Sequence, residues 1–530
     1  MKTVAIIRNA VTAQLVNADR DAKQIVQKAL SYVVEGAKYS STGWDGTSTF
    51  FDWGTCKFPA GFTNAIATRL KKNGYKVITK RKEMVKPLGK PNPVVNAFPP
   101  NPFYAYQDLT VERLVEMGGM VAQVATGGGK SVIACKALAR INRQTLFITT
   151  RGVLMHQMAG NFEKSLEYRK SIGELPAGAF VGILGDGEFT MSKYVNVATV
   201  QTLAKALEDP KADWDSAKKK KHLAKRKVVL DMLERTSLLI LEEAHESSGG
   251  QFYAIANACK NADYRLALTA TPFMKDSAEA NMRLMAVSGS IGIKVTEEFL
   301  INAGILARPY FKYIECTHLH DRERFDAKPE LAKKYPNTNL SWGAPYQRAY
   351  TLGVTYNFQR NRLIVAQAKE FKDYGLSTML LVKHKDHGRI LSEMMSALGI
   401  KVEFIFGDSN QSKREAALKK LATRKIDVLI GSTILDVGVD VPAVGAVILA
   451  GSGKAEVELR QRIGRGLRAK KDAANICFVV DFIDKCNKHL YKHSEERRAI
   501  VHSTKGFAEG ILPQGTNFDY SLLKQSHKVA

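Results

Sequence analysis

The sequence contains no Cys-x-x-Cys pair. Its six cysteines, Cys56, Cys135, Cys259, Cys316, Cys477 and Cys486, are scattered over 530 residues, which suggests neither a zinc site nor a disulfide framework and reads best as small buried hydrophobes in a reducing compartment. Long apolar runs are missing as well: TVAII near the N-terminus is too short for a signal-peptide core and is cut off by Arg8, and no stretch is long enough to span a bilayer. A soluble, cytoplasmic protein with no membrane partner is expected. Acidic residues are scarce, with 52 Asp and Glu against 78 Lys and Arg and a formal net charge of +26. That imbalance points to a polyanionic partner and favours nucleic acid over an anionic membrane, although ribosomal and lipid-surface proteins share it.

At this length the chain exceeds one hydrophobic core and implies two to four domains. The stretch KPLGKPNPVVNAFPPNP, with prolines at 87, 91, 93, 99, 100 and 102, cannot sit inside a helix or a central strand and reads as an extended linker after a small N-terminal module. Beyond it, short apolar runs alternate with helical patterns: MVAQVAT, TLFITT, SLLILEE and RLALTAT, then STMLLVKH, KVEFIFG, IDVLIGST, GAVILAG and NICFVVDF. Such alternation predicts α/β architecture with parallel sheets and crossover helices. The runs form two groups parted near residues 301–313. No short-period repeat or low-complexity tail is evident.

The stretch ATGGGKSVIACKAL follows an apolar run and feeds a helical pattern. Gly127, Gly128 and Gly129 allow backbone N–H groups to close around phosphate oxygens, Lys130 brings a positive charge to the β- and γ-phosphates, and the Ser131 hydroxyl is a ligand for Mg2+. The usual first glycine of such a loop is replaced by Val124. A nucleotidase of this kind needs an acid at the end of a second strand to hold the metal and another to orient the attacking water. In LLILEEAHE, Glu242 stands where the first is needed and Glu243 where the second is.

Taken together, ATGGGKS, LEEAH, TATP at Thr269–Pro272 and QRIGRGLR at Gln461–Arg468 resemble the motif set of superfamily 2 helicases. The resemblance implies two tandem RecA-like parallel-sheet domains binding ATP and Mg2+ in the cleft between them. Under it, Gln107 resembles the adenine-reading glutamine, with Phe103, Tyr104 or Tyr106 as a base-stacking neighbour; a helix-start glutamine is the plain alternative. Thr150 and Arg151, and Thr199, Gln201 and Thr202, resemble two motifs that contact a nucleic-acid strand. His245, Thr269 and Thr271 are implied to couple nucleotide state to strand binding, with core hydrogen bonding as the other reading. The family usually has aspartate where Glu242 stands, and the longer side chain either shifts the metal's water network or is absorbed by it.

In the second group, GSTILDVGVDVP resembles the motif that touches both ligands and is similar to that of RecG-type fork helicases. Spacing to Gly438, on the nucleotide side, implies Ser432 rather than Thr433 at the phosphate-contacting position, with Thr433 beside it on the nucleic acid and Asp440 near the ribose or the coupling network. Arg465 and Arg468 are implied to face the γ-phosphate, and Gln461 to serve coupling.

Gly43-Trp44-Asp45-Gly46, Phe58-Pro59-Ala60-Gly61 and Asn73-Gly74-Tyr75-Lys76 resemble the small front domain of phage UvsW-type branch-migration helicases, although Trp44 and Phe58 read equally well as that domain's core. The implied organisation is an α+β DNA-binding domain at 1–86, a linker at 87–102, RecA-like domains at 103–305 and 306–510, and a tail at 511–530. The implied function is an ATP-dependent DNA helicase acting on branched DNA in replication and recombination: junction migration, fork reversal and R-loop dissociation, in a host-cell cytoplasm if phage-encoded. A double-stranded DNA translocase and an RNA helicase share every motor motif and remain alternatives. A monomer is expected. The lysine-rich stretch from Asp213 to Leu233 suits either a duplex-tracking helix or a solvated one.

Overall fold

The computed structural model describes residues 2–34, 44–98, 101–243, 249–273, 277–317, 340–406, 411–431, 444–451, 453, 456–470 and 473–524; the side chains of 411, 456–458, 461 and 465 are not among those described. The chain divides into two compact units, Met1–Val124 with Gly129–Val295, and Ala125–Gly128 with Thr296–Ala530.

The first unit begins with a four-stranded sheet. Strands β1 (Thr3–Arg8) and β2 (Thr12–Val16) form a hairpin whose turn is fixed by Asn9, its side-chain oxygen accepting from the backbone N–H groups of Val11 and Thr12 at 2.8 and 2.7 Å. A small separate ribbon joins β3 (Ser31–Val33) to β4 (Thr47–Thr49). With β5 (Lys57–Pro59) and β6 (Lys76–Arg81) the main sheet runs β5-β2-β1-β6, β6 lying parallel to β1. The helices Arg20–Leu30 and Thr63–Lys72 bury Ala22, Val26 and Leu30, and Ile66 and Leu70, at the four-residue spacing that puts side chains on one helical face. They share a core with Val4, Ile6, Leu15, Phe58 and Phe62. Phe58 is therefore core, as one of its two readings had it, whereas Trp44 is 46 % exposed.

This small sheet is not detached. Its core includes Ala286 of the helix Ala278–Ser288, and Gly61 lies so close to that helix that a Cβ there would stand 2.0 Å from the Met285 carbonyl oxygen. The proline-rich stretch is extended, but it is docked. Leu88 and Gly89 donate backbone N–H bonds to the carbonyls of Ile141 and Arg140 at 3.1 Å each, and Arg140 Nη1 returns one to Gly89 at 2.8 Å.

Next comes an eight-stranded sheet made of β7 (Gly119–Val124), β8 (Thr145–Thr149), β9 (Val181–Gly185), β10 (Glu188–Phe189), β11 (Val195–Thr199), β12 (Leu238–Glu242), β13 (Tyr264–Thr269) and β14 (Ile291–Val295), in the order β10-β9-β11-β8-β12-β13-β7-β14. Every pairing is parallel except β9 with β10. Strands β8, β11, β12 and β13 are buried along their whole length, as strands covered by helices on both faces must be.

The second unit carries a six-stranded, all-parallel sheet: β15 (Arg308–Cys316), β16 (Thr378–Leu381), β17 (Val402–Ile405), β18 (Val428–Gly431), β19 (Ala446–Leu449) and β20 (Ile476–Asp484), ordered β15-β20-β19-β16-β18-β17. The buried acids of β20 are matched. Asp484 accepts Arg360 Nε at 2.7 Å, and Asp481 takes both Nε and Nη2 of Arg497 at 2.9 and 3.0 Å. The α/β architecture with two parallel sheets behind a small α+β element is thus the one expected from the alternating pattern. Among the described residues no helix is long and apolar enough to cross a membrane, and all six cysteines are unbridged, five of them buried.

Candidate nucleotide site

Parallel strands place all their C-terminal ends on one edge of a sheet, and ligands of open α/β sheets gather there. At that edge β7 runs into the glycine turn and then into the helix Lys130–Ile141. Gly127 and Gly129 adopt φ of +85° and +76°, values that a side chain would strain. Gly129 is the residue that caps the helix, and having no side chain it offers no cap hydrogen bond. That leaves the N–H groups of Lys130 and Ser131, the first two helical residues, as donors for an anion, while the Val132 N–H bonds the Gly129 carbonyl at 3.0 Å. Val124, in place of the usual first glycine, is completely buried at the end of β7 and serves as core.

Glu242 ends β12 and is 9 % exposed. Burial, and then the neighbouring Glu243 carboxylate, push its pKa up, while the Lys130 ammonium pulls it back down. The lysine of the turn and the acid of the second strand therefore share one electrostatic site. Among the described residues Glu242 Oε2 is buried with no hydrogen-bond partner, a state that costs free energy until a cation or donor arrives. Glu243, next in the chain, sits at φ +46°, left-handed backbone that a non-glycine residue adopts only when its surroundings impose it. The uncapped helix start, the ammonium and an orphaned carboxylate oxygen fit a nucleotide phosphate chain with a divalent cation: Gly127, Gly128, Gly129 and Lys130 on the phosphates, Ser131 and Glu242 on the metal.

Gln107 is buried in the helix Ala105–Met117 and its Nε2 faces Gly129. Of the aromatic neighbours, Tyr106 is buried, whereas Phe103 is 38 % exposed. Thr269 ends β13 fully buried, its hydroxyl accepting from the Thr271 N–H at 3.2 Å, while Gln123 on β7 donates to the Ala270 carbonyl at 3.3 Å. The TAT segment is thereby tied to the strand that leads into the phosphate turn.

Among the residues assigned to nucleic acid, Gln201 joins the two segments by donating Nε2 to the Thr150 carbonyl at 3.0 Å. Arg151 and Gln201 are exposed. Thr199 caps the helix Val200–Leu207, its oxygen accepting from the Thr202 N–H at 3.4 Å and its hydroxyl donating to that of Thr202 at 2.9 Å. Both threonines have a local structural role of the kind that favours threonine at helix starts. His245, Ser432, Thr433, Gly438 and Asp440 lie outside the described residues, as do the side chains of Gln461 and Arg465 on the helix Glu456–Gly466. Arg468 is exposed, just after that helix. Sequence reasoning passed over Arg462, which is 1 % exposed and donates to the Gly451 carbonyl at 3.2 Å. Its place three residues after the buried Leu459 and one before the buried Ile463 was the available signal.

Residues 102–274 match the family described as the type III restriction enzyme res subunit, and residues 362–470 match the helicase conserved C-terminal domain. One match thus falls on each large sheet, and the chain belongs to the superfamily 2 helicases. A protein of the Sulfolobus islandicus filamentous virus that carries a helicase designation is 24 % identical over 67 % of the chain, which spans 59 % of that relative's length. Among solved structures, a fragment of a type I restriction enzyme subunit from Vibrio vulnificus superposes with a TM-score of 0.50 at 16 % identity, covering 76 % of this chain and 66 % of that one. UvsW of phage T4 covers 97 % of this chain and 99 % of its own, at 17 % identity and a TM-score of 0.42.

Proposed function

We propose that the chain is an ATP-driven DNA helicase. The observation that carries this reading is the electrostatic meeting of Lys130 and Glu242 at the strand ends, beside a helix start left without a cap. When bound, Mg-ATP supplies a phosphoanhydride whose hydrolysis drives the cycle. Lys130 and the N–H groups of the helix start would hold the phosphates, and the cation would draw Glu242 into its ionised form by compensating its burial. Glu243 holds the proton of the attacking water. Arg465 and Arg468 are assigned to the charge that develops on the γ-phosphate, and Gln107 to the base.

DNA is the favoured polymer, and branched DNA the favoured form. The net charge of +26 calls for phosphate, and the small front sheet adds a second basic face, with Arg69, Lys71, Lys72 and Lys76 all exposed. A second contact raises apparent affinity only on a substrate that both surfaces can reach, such as a fork or junction arm. Strand displacement and ATP turnover on a fork, a four-way junction and a linear duplex, in DNA and in RNA, test this. Fork and junction DNA are expected to be processed in preference to linear duplex. Turnover without displacement on every substrate would identify a translocase instead, and a preference for RNA would overturn the polymer assignment.

A further inference from the structure

A stretch of the second unit, residues 340–350, holds none of the residues assigned to the nucleotide. Strands β16, β19 and β20 end at Leu381, Leu449 and Asp484, and being parallel they end on one edge. The segment that begins at Leu340 is fastened to this edge by Asn487, just past the end of β20. Asn487 is fully buried, and its Nδ2 donates to the carbonyls of Ser341, Trp342 and Ala344 at 3.1, 3.0 and 3.2 Å. The Trp342 carbonyl takes a second bond from the Lys488 N–H at 2.9 Å. Beneath the segment a satellite core of Leu340, Ala344, Ala349, Tyr350, Cys486 and Leu490 holds it down.

The Trp342 carbonyl is thus held by two donors, yet the residue is 54 % exposed. Tryptophan normally contributes by burial, and a large ring held rigidly in water costs free energy unless something covers it. Its neighbour in space is the Tyr491 ring, 6.2 Å away between centroids. Two residues past the end of β16 the exposed Lys383 holds its ammonium 5.6 Å from the half-buried ring of Tyr346 and 5.4 Å from the buried ring of Tyr350. Lys488 is exposed beside Trp342. Flat rings interleaved with ammonium groups are what a single nucleic-acid strand needs, since each base offers a face to stack and each link a phosphate to neutralise. A duplex hides those faces.

We propose that Trp342 is a stacking platform for an unpaired base of a single strand that runs along the C-terminal edge of the second sheet, with Lys383 and Lys488 meeting its phosphates. The inference rests on the helicase reading and names how the separated strand is held. Titration of the full chain with a short oligothymidylate, read by tryptophan emission, tests it. The wild type is expected to be quenched and Trp342→Phe to lose that quenching while binding within about threefold. Trp342→Ala is expected to bind the oligomer about tenfold more weakly, with blunt duplex affinity changed less than twofold, in keeping with the usual worth of one stacked base. Circular dichroism establishes that each variant is folded. Quenching that persists in Trp342→Phe, or an equal loss on single strand and duplex in Trp342→Ala, would overturn the proposal. Loss of quenching in Trp342→Phe from a chain that never hydrolyses ATP on DNA would leave the platform standing and remove the helicase. DNA-stimulated hydrolysis with unchanged oligomer affinity in Trp342→Ala would do the reverse.

Discussion

The amide nitrogen of Gln107 lies 2.6 Å from the point that a Cβ on Gly129 would occupy. A methyl group there would collide with a buried side chain and also force an L-residue to φ +76°. Gly129→Ala is therefore expected to lower stability by about 1–2 kcal/mol from the dihedral alone and to abolish nucleotide binding. Adding Gln107→Ala removes the collision but leaves the dihedral penalty, so only partial recovery of the thermal midpoint is expected. Full recovery would show that the turn tolerates a side chain.

Lys130→Ala and Glu243→Gln are both expected to stop DNA-stimulated ATP hydrolysis, with nucleotide affinity retained better in the second. In the proposed mechanism the ammonium acts on ground-state phosphates and the carboxylate on the attacking water. Equilibrium binding of a fluorescent nucleotide, set beside steady-state turnover, separates the two. Near wild-type turnover in Glu243→Gln would assign the base elsewhere.

Glu242 sits buried beside another carboxylate, with an oxygen that has no hydrogen-bond partner among the described residues. Burial raises the Glu242 pKa to about 8, so the nucleotide-free protein keeps this carboxyl largely protonated at neutral pH and loses stability by doing so. Glu242→Gln, which needs no proton, is expected to raise the thermal midpoint without Mg-ATP, by about 1 kcal/mol of stability, while the stabilisation conferred by Mg-ATP shrinks. A fall in the midpoint would mean that the acid is already compensated in the free protein. Glu242→Asp is expected to keep turnover within about tenfold, roughly 1.4 kcal/mol in barrier.

Different parts of the fold and site leave different signals in a sequence. The nine apolar runs named in the sequence all became strands, because a strand covered on both faces must be apolar throughout and so announces itself. The short β9, VGILG, and the edge strand β14, IGIKV, carry glycine or exposed positions and were passed over. Lys130, Ser131 and the two glutamates could be proposed from sequence because phosphate and metal chemistry fix residue type and order. The burial of Thr199 and Arg462 was not, since a capping hydroxyl and a guanidinium bonded to a carbonyl look, in sequence, like surface chemistry. Nor could prolines reveal that the chain at Leu88 and Gly89 lies docked: proline excludes helix, but it does not say what the extended chain rests on.

Arg8 and Arg81 are direct partners on the parallel strands β1 and β6, a like-charge pairing that needs compensation. It comes from carbonyls: Arg81 Nη1 and Nη2 donate to Met117 and Asp263 at 3.0 Å each. Arg81→Ala is expected to cost roughly 1–3 kcal/mol, the range for bonds made by a charged group, and to hasten limited proteolysis between residues 82 and 102. Unchanged cleavage would show that apolar contact alone holds the front sheet.

His387 is fully buried and bonded through Nε2 to the Asn361 side-chain oxygen at 2.9 Å, while among the described residues its Nδ1 is buried without a partner. Burial, then the Arg360 charge and His384, hold its pKa well below the usual histidine value. The unfolded chain takes up a proton near pH 6.5 and the folded one does not, so this residue's contribution is complete above that pH and declines below it, by about 1.4 kcal/mol per pH unit. His387→Gln, which can keep the bond to Asn361, is expected to flatten the fall in thermal midpoint between pH 6.5 and 5. An unchanged slope would place the acid sensitivity elsewhere.

The contact of Gly61 with the Met285 carbonyl, and of Phe50 with Tyr253 at 6.1 Å between ring centroids, bears on how the front sheet can be studied. Cutting the chain near Val94 would not simply unload an accessory. It would strip the outer wall from the helix Ala278–Ser288 and leave Tyr253, Met285 and Ala286 as a raw apolar scar. A shortened protein that clumps or loses activity would report that wound rather than a missing grip on DNA. Charge reversals confined to the outer lysines are the cleaner instrument, because they leave the seam intact.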